Sequence, residues 1–540
     1  MTELNDLDRA MRDSAMYPHP VAAVTVLETH ISKVFLTGSF VYKIKKPVDL
    51  GFLNFSTLAK RRHYCRREIL LNRRLAPNVY LDVVPITVRS GQFFLDGPGD
   101  IIEYAVRMKQ LPEATSMTAI LDTGKMTEAG INLLSQTLVN FHRGSFLPDA
   151  AAAKFGGLAH ITRIMEETFD QTRAFAESTD DIRRHDIIRS AGRCFLNRRK
   201  TLFDDRIRGN RIKDGHGDLR CEHIYFHDGI TIIDCIDFNP GFRLGDAAND
   251  LAFLAMDLDF RGHAEWARRL LAAYVEYSND SGLVVLIDFY KCYRALIRFK
   301  VAEIRRREAS VTAEQKTVLK SDGERFLALA YRYALQFTRP TMWVFCGLPA
   351  SGKSTLAWTL GSILHIDPLQ SDRVRKQIFR GQQPVHIRPF AADIYAPDAD
   401  KLTYGQMLLT AQERLEKNES VILDATFRKR HFREEACRLA RDMDANFILV
   451  ECRASDEQIR QRLKLRESAP GLSDARLIHH DALKQDFDPV SEIDPCRHIV
   501  ADTDQPLEST LRRIMIHDAA MLEEWGRNRL AKAGNNNKKD

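Results

Sequence analysis

No stretch of the 540 residues approaches the ~20 consecutive apolar positions that a membrane-crossing helix requires. The opening segment, MTELNDLDRAMRDSAM, carries acids and no apolar core, so no secretory signal is expected there. Cysteine is sparse: nine residues, an odd number, with no C-x-x-C pair. That argues against a disulfide framework or a zinc site and predicts reduced thiols in a cytoplasmic protein. A strong charge of one sign is missing as well. The 79 Lys and Arg against 73 Asp and Glu leave a formal net charge of +6, too small over this length to argue for nucleic acid or a membrane surface as a partner. No repeat of fixed period is visible, and low complexity is confined to the tail AGNNNKKD. Secreted, membrane-spanning and fibrous classes are thereby excluded. What is present is an ordinary globular composition, 44% apolar and 28% charged. The chain also exceeds the ~250–300 residues at which a single core stops growing, so two or more domains are expected.

The best punctuation is Thr338-Arg339-Pro340. Before it, apolar residues recur at three- and four-residue spacing from about Asp288 to Phe337, which predicts helices. After it, TMWVFC is a short run of β-formers followed at once by a glycine loop. The chain is therefore cut into 1–339, 340–525 and a tail, 526–540, expected to be disordered. In the first part, SKVFLTG and FVYKIKKPV predict a hairpin, a helix follows from about Thr57 to Leu75, and IIEYAVRMKQL predicts another strand. A small sheet-bearing lobe and a larger helical lobe are expected. In the second part TMWVFC, VILDAT and FILVEC alternate with amphipathic helices, which predicts a parallel sheet covered by helices.

Gly347-Leu348-Pro349-Ala350-Ser351-Gly352-Lys353-Ser354, with Thr355 following, fits G-x-x-x-x-G-K-[ST] in full, between a predicted strand and a predicted helix. Such glycines let the backbone wrap phosphates, so that N–H groups point at anionic oxygens at a helix N-terminus. Lys353 reaches the β- and γ-phosphates of ATP and Ser354 offers a hydroxyl to Mg²⁺. Asp372 could accept a proton from a substrate hydroxyl, and Arg375, one turn on, would face the same ligand. Asp424 ends the run VILDAT, where a carboxylate can hold Mg²⁺ or its waters. Arg460, Arg462 and Arg466 lie in IRQRLKLRE, and Arg462 and Arg466 share a helix face suited to a phosphate lid. The order of a Walker A loop, SD-x-x-R, DAT-F and an arginine-bearing helix resembles the small AAA-type P-loop kinases, in the polynucleotide 5′-hydroxyl kinase, gluconate kinase and zeta-toxin group. The resemblance covers about 341–520. It implies phosphoryl transfer from ATP to a hydroxyl, with Asp372 as base and Arg375 as substrate clamp, and leaves the acceptor unnamed.

Gly215-His216-Gly217-Asp218-Leu219 is the second landmark, because an Asp on a short loop after His-Gly has the pattern of a phosphotransferase catalytic loop. Downstream, Ile233-Asp234-Cys235-Ile236-Asp237-Phe238-Asn239 ends a strand-like run in carboxylates, and Gly245-Asp246 and Asp250 open a helix. Upstream, Lys43 or Lys45 could pair the phosphates and Glu68 the lysine. The ordered set Lys, Glu, H-G-D, I-D, G-D-x-x-x-D-L-A resembles the aminoglycoside phosphotransferase and choline kinase-like family over about residues 20–335. The resemblance implies a bilobal kinase-like α+β fold with ATP in the cleft, Lys43 and Glu68 as its ion pair, Asp218 as base, and Asp237 or Asp234 as metal ligand. It also exposes a departure: His223 stands where the family places a metal-binding Asn, and imidazole is a poor ligand for Mg²⁺.

Together these readings predict an ATP- and Mg²⁺-using phosphotransferase acting on a small-molecule or nucleic-acid hydroxyl. One alternative is a P-loop kinase or ATPase whose first domain is a catalytically weak binding or regulatory module. Another is an ATPase switch that phosphorylates nothing.

Overall fold

The structure is a computed structural model and describes residues 2–51, 53–309, 311–379, 397–467 and 477–536. It groups the chain into two compact units, residues 1–160 with 206–278 and residues 161–205 with 279–540. The units do not follow the expected cut at 339. Helices Leu283–Arg306 and Ala313–Thr338 belong with the P-loop half. Val284 and Val285 pack against the cluster that contains Trp343, Leu360, Ile448 and Met515. Arg339 lies over the Trp525 ring at 4.1 Å, and Gln336 donates to the Glu523 carbonyl at 3.2 Å. Thr338-Arg339-Pro340 does separate a helix from a strand, as its sequence predicts, but apolar packing crosses it.

The first unit carries a six-stranded antiparallel sheet in the order β1-β2-β3-β6-β4-β5. Its strands are β1 (Thr25–Glu28), β2 (Ser32–Leu36), β3 (Phe40–Lys45), β4 (Tyr80–Arg89), β5 (Gln92–Leu95) and β6 (Asp100–Lys109). The two-residue period of β3 sends Tyr42 and Ile44 into a cluster with Leu7, Met11 and Phe35. Val41 goes the other way, against Cys65 and Ile69 of helix Leu58–Asn72. Lys43 and Lys45 share the Val41 face, so the pleat delivers both lysines to the helix that bears Glu68. Thr57 caps that helix by accepting from the Lys60 N–H. Later, two short antiparallel ribbons frame the loops that follow them: β7 (Ile212–Asp214) with β10 (Leu244–Asp246), and β8 (Ile224–Phe226) with β9 (Ile230–Ile232).

The second unit contains a five-stranded parallel sheet in the order β12-β13-β11-β14-β15. These are β11 (Thr341–Cys346), β12 (Leu369–Gln370), β13 (Val421–Asp424), β14 (Asn446–Arg453) and β15 (His498–Asp502). Every residue of β11 is buried. One sheet face packs Met342, Val344 and Leu423 against Met407, Phe432 and Ala436, and the other packs Trp343, Phe345 and Ile448 against Leu356, Leu360 and Ile514. Helices therefore cover both faces, as expected of a parallel sheet. The run LHIDPLQ yields only the two-residue β12, since Pro368 has no N–H to give a ladder. The last helix, Leu507–Asn536, continues into the segment expected to be disordered.

A fragment starting at Pro340 would bare the apolar surface that Val284 and Val285 cover. We expect residues 340–540 to melt at a lower temperature, or to aggregate, compared with residues 279–540, as read by soluble yield and thermal denaturation. Equal melting temperatures would show that this packing is dispensable.

Candidate functional site

The chain leaves β11 through Gly347, whose φ is +136° and whose added Cβ would lie 2.4 Å from the Cys452 carbonyl oxygen. Only glycine permits that turn against β14. Ala350 and Gly352, both at positive φ, complete the loop, and helix Lys353–Leu364 begins. Lys353 Nζ donates to the Leu348 carbonyl at 2.6 Å, folding over the loop. Ser351 Oγ is buried and has no hydrogen-bond partner among the described residues. A buried hydroxyl in this state, at the N-terminus of a helix, suits a phosphate oxygen. β11 is the central strand, with β13 on one side and β14 on the other. The loop thus stands at the switch point where open α/β sheets bind ligands.

Three expected residues gather at the same end of the sheet. Asp424 ends β13 in register with Phe345, is buried, and accepts from Gln370 Nε2 at 3.0 Å. Asp372 lies in the first turn of helix Ser371–Ile378, directly after β12. Arg375 Nη1 is 3.5 Å from Asp372, while Arg375 Nη2 donates to Asp400 at 2.6 Å. Arg428 donates to the other Asp400 oxygen at 2.7 Å. Asp400 and Arg428 escaped the sequence reading, because neither belongs to a spaced motif and only the packing of helix Pro397–Glu416 brings them to Arg375.

Arg462 donates to the Ala350 carbonyl at 3.3 Å and to the Thr503 carbonyl at 2.8 Å, beside the phosphate loop. Arg460 instead pairs with Asp481 at 2.8 Å, and the Arg466 side chain lies outside the described residues. A cavity of about 490 Å³ opens next to the loop, lined by Gly352, Thr355, Arg462, Thr503 and Gln505. Ser354 opens the helix beside it, one residue after Lys353.

In the first unit the expected lysine–glutamate pair is a trio. Glu68 receives Lys43 at 2.9 Å on one oxygen and Lys45 at 2.8 Å on the other. Each lysine holds a second carboxylate, Lys43 to Asp234 at 2.5 Å and Lys45 to Asp237 at 2.7 Å. Burial opposes ionisation of Glu68, but the two ammoniums hold its carboxyl below the usual range. Burial, with Glu68 alongside, pushes the Asp237 carboxyl up in spite of Lys45. Asp218 is gripped in two-pronged fashion by Arg220, at 2.9 Å on each oxygen. His223 Nδ1 lies 2.9 Å from the Asp218 carbonyl, and Nε2 lies 3.8 Å from Asp234.

Behind the loop, Asp250 accepts from the N–H groups of His216 at 2.6 Å and Gly217 at 2.8 Å, with His142 3.3 Å away. A Cβ on Gly215 would come within 2.3 Å of Asp250, so the glycine is what lets the carboxylate reach the backbone. Asp246 has a different task, capping helix Ala247–Phe260 and pairing with Arg206 at 2.8 and 2.6 Å. The metal reading of this cleft meets a poor donor set. Asp234 and Asp237 are each held by an ammonium and the next candidate is imidazole, whereas Mg²⁺ demands an oxygen octahedron. The residues do not fit the ion.

Fold and loop define the second unit as an AAA-type P-loop domain, and the family profile described as "AAA domain" matches residues 342–490. The uncharacterized protein Rv2004c of Mycobacterium tuberculosis (strain ATCC 25618 / H37Rv) is 30% identical over 478 residues, 87% of this chain and 92% of that protein. The chain belongs to its family. A choline/ethanolamine kinase family protein from Mesorhizobium loti shares 14% identity at a TM-score of 0.34, over 60% of this chain and 99% of its own. A gluconokinase from Sinorhizobium meliloti 1021 shares 17% at 0.25, over 36% and 97%. Scores this low carry nothing about chemistry. Among the described residues no helix is long and apolar enough to cross a membrane.

His216 yields a pH prediction. It is fully buried, which pushes its imidazole down to about 4. Nε2 faces the Ile233 carbonyl at 3.0 Å and Nδ1 accepts from the Asp218 N–H at 3.3 Å, so the neutral Nε2–H tautomer satisfies both. The unfolded chain would bind this proton first, near pH 6.5. Stability is therefore complete above that pH and falls as pH drops toward 4, by on the order of 3 kcal/mol. Imidazole ¹⁵N shifts should report the Nε2–H tautomer at pH 5; titration of His216 near pH 6.5 would refute this.

Proposed function

We propose that the protein is an ATP-dependent phosphotransferase whose P-loop site moves the γ-phosphoryl group to a hydroxyl acceptor, a small molecule or a nucleic-acid end. The observation that carries this reading is the convergence of a preformed phosphate loop with Asp424 and Asp372 at one end of the parallel sheet. The loop N–H groups and Lys353 would hold the β- and γ-phosphates, and Lys353 would leave the Leu348 carbonyl to do so. Ser354 and Asp424 fit a Mg²⁺ ion: both offer oxygen, and the Gln370 amide that bonds Asp424 is neutral. Bound there, the ion would neutralise phosphate charge. Asp372 would take the acceptor's proton. Arg375 and Arg428, joined through Asp400, would orient the acceptor.

A second reading applies to the first unit: a nucleotide-binding module with weak turnover or none. It is favoured by Arg220, which occupies both oxygens of Asp218, the one motif-placed base.

In the full chain, Lys353→Ala should lower transfer from [γ-³²P]ATP by at least about 100-fold, because the charge that follows the phosphoryl group is gone. The readout is a screen over sugars, aminoglycosides, nucleosides and nucleic-acid 5′ ends. Near wild-type transfer by this variant would remove the P-loop site from the reaction.

Asp372→Asn and Asp424→Asn should separate two roles. The first should keep ATP affinity and lose transfer, since an amide cannot accept the proton. The second should raise the Mg²⁺ concentration needed for half-maximal activity. Superimposable Mg²⁺ titrations for wild type and Asp424→Asn would contradict the metal role.

A further inference from the structure

A kinase-like cleft needs one lysine on its strand to serve the phosphates and pair with the helix glutamate. β3 supplies two, at positions that its pleat sends to the same face, and both lie within ion-pair distance of Glu68. The two are not equivalent. Lys45 is 2% exposed and its partner Asp237 is 7% exposed, whereas Lys43 is 14% exposed and its partner Asp234 is 45% exposed. Parting Lys45 from Asp237 would strip a buried carboxylate of its ammonium and leave Lys45 with Glu68 alone, a costly step. Parting Lys43 from Asp234 leaves Asp234 half-exposed, with His223 Nε2 3.8 Å away. Asp234 also has a φ of +64°, one of eleven non-glycine residues with positive φ among the described residues.

The pairing of the carboxylates points the same way. Glu68 faces Lys43 and Lys45, Asp234 faces Lys43, and Asp237 faces Lys45. A cleft that relied on divalent cations to bring in phosphates would keep carboxylate oxygens open for them. Here His223, an imidazole, takes the place of an oxygen ligand.

We infer that the first unit binds the phosphates of a nucleotide without a divalent cation. The Lys45 ammonium stands permanently at Asp237 in the cation's stead, and Lys43 exchanges Asp234 for a phosphate oxygen. This rests on the reading of the first unit as a nucleotide-binding cleft. No covalent step is involved, only the exchange of one anionic partner for another at Lys43.

The test uses the full chain carrying Lys353→Ala, photolabelled with 8-azido-ATP in excess EDTA or excess Mg²⁺, with labelled peptides mapped to each unit. Labelling of peptides from residues 1–160 and 206–278 should saturate at ATP concentrations that agree within about threefold in the two buffers. Lys45→Met should weaken that labelling at least about tenfold in EDTA, while Lys45→Arg, which keeps a cation at Asp237, should retain it. Thermal melts identify a variant that has merely unfolded, in which case Lys45→Arg decides. Labelling of these peptides that needs Mg²⁺ would overturn the inference and leave the nucleotide-binding reading standing. Loss of EDTA labelling in a folded Lys45→Arg protein would also overturn it. No labelling of these peptides in either buffer would overturn both.

Discussion

The phosphate loop depends on the burial of one strand. β11 is hidden along its whole length, hydrogen-bonded to parallel strands on both edges and sealed by apolar clusters on both faces. A strand so constrained has no freedom at its carboxyl end, and the loop inherits that rigidity. Gly347 is pressed against the Cys452 carbonyl, its N–H donates to the Thr426 carbonyl, and Thr503 closes on the Ser351 carbonyl at 2.9 Å. Three strand ends therefore fix one loop. Preorganisation of this kind removes the ordering cost that a flexible loop would incur on gripping phosphate.

The first unit solves a similar problem by other means. In its loop one buried carboxylate, Asp250, takes two successive backbone N–H groups. Burial opposes ionisation of Asp250, and His142 together with those N–H groups holds it ionised nonetheless. The loop end that faces the cleft is less committed to chemistry. Asp218 is neutralised by Arg220, and the carboxylates downstream are neutralised by lysines.

How much of this could be read from the chain varied with the reach of the interaction. The P-loop, its strand and its helix were legible because their requirements are local: glycine where the turn needs it, lysine and serine at fixed spacing. The alternation of VYKIK showed that two lysines share a face, yet not that Glu68 would take both, since that depends on how helix Leu58–Asn72 lies on the sheet. Asp246 and Asp250, four residues apart in one motif, looked interchangeable as caps. The fold gives one to the helix and Arg206, and the other to the loop. The compact units depart from the expected boundary for a related reason. Thr338-Arg339-Pro340 reports where a helix must stop, whereas compact units are set by which apolar faces meet, and Val284 and Val285 lie more than fifty residues before it. Asp400 and Arg428 were invisible because a salt bridge across separate elements leaves no periodic trace.

The two sites also differ in what surrounds their acidic side chains, and this sets what each can recruit. At the P-loop the Asp424 carboxylate is met by a neutral amide, so its charge stays available to a cation arriving with phosphate. In the first unit each comparable carboxylate already has an ammonium at 2.5 to 2.7 Å. An amide partner orients a carboxylate without cancelling its charge; an ammonium partner does both. The first arrangement favours chemistry in which charge must be neutralised as it moves. The second favours exchange of one anion for another with little change in net charge, which is what recognition of a phosphate requires and what its transfer does not. The two proposed clefts, one open to a cation and one closed to it, would answer differently to the ratio of free to metal-bound nucleotide.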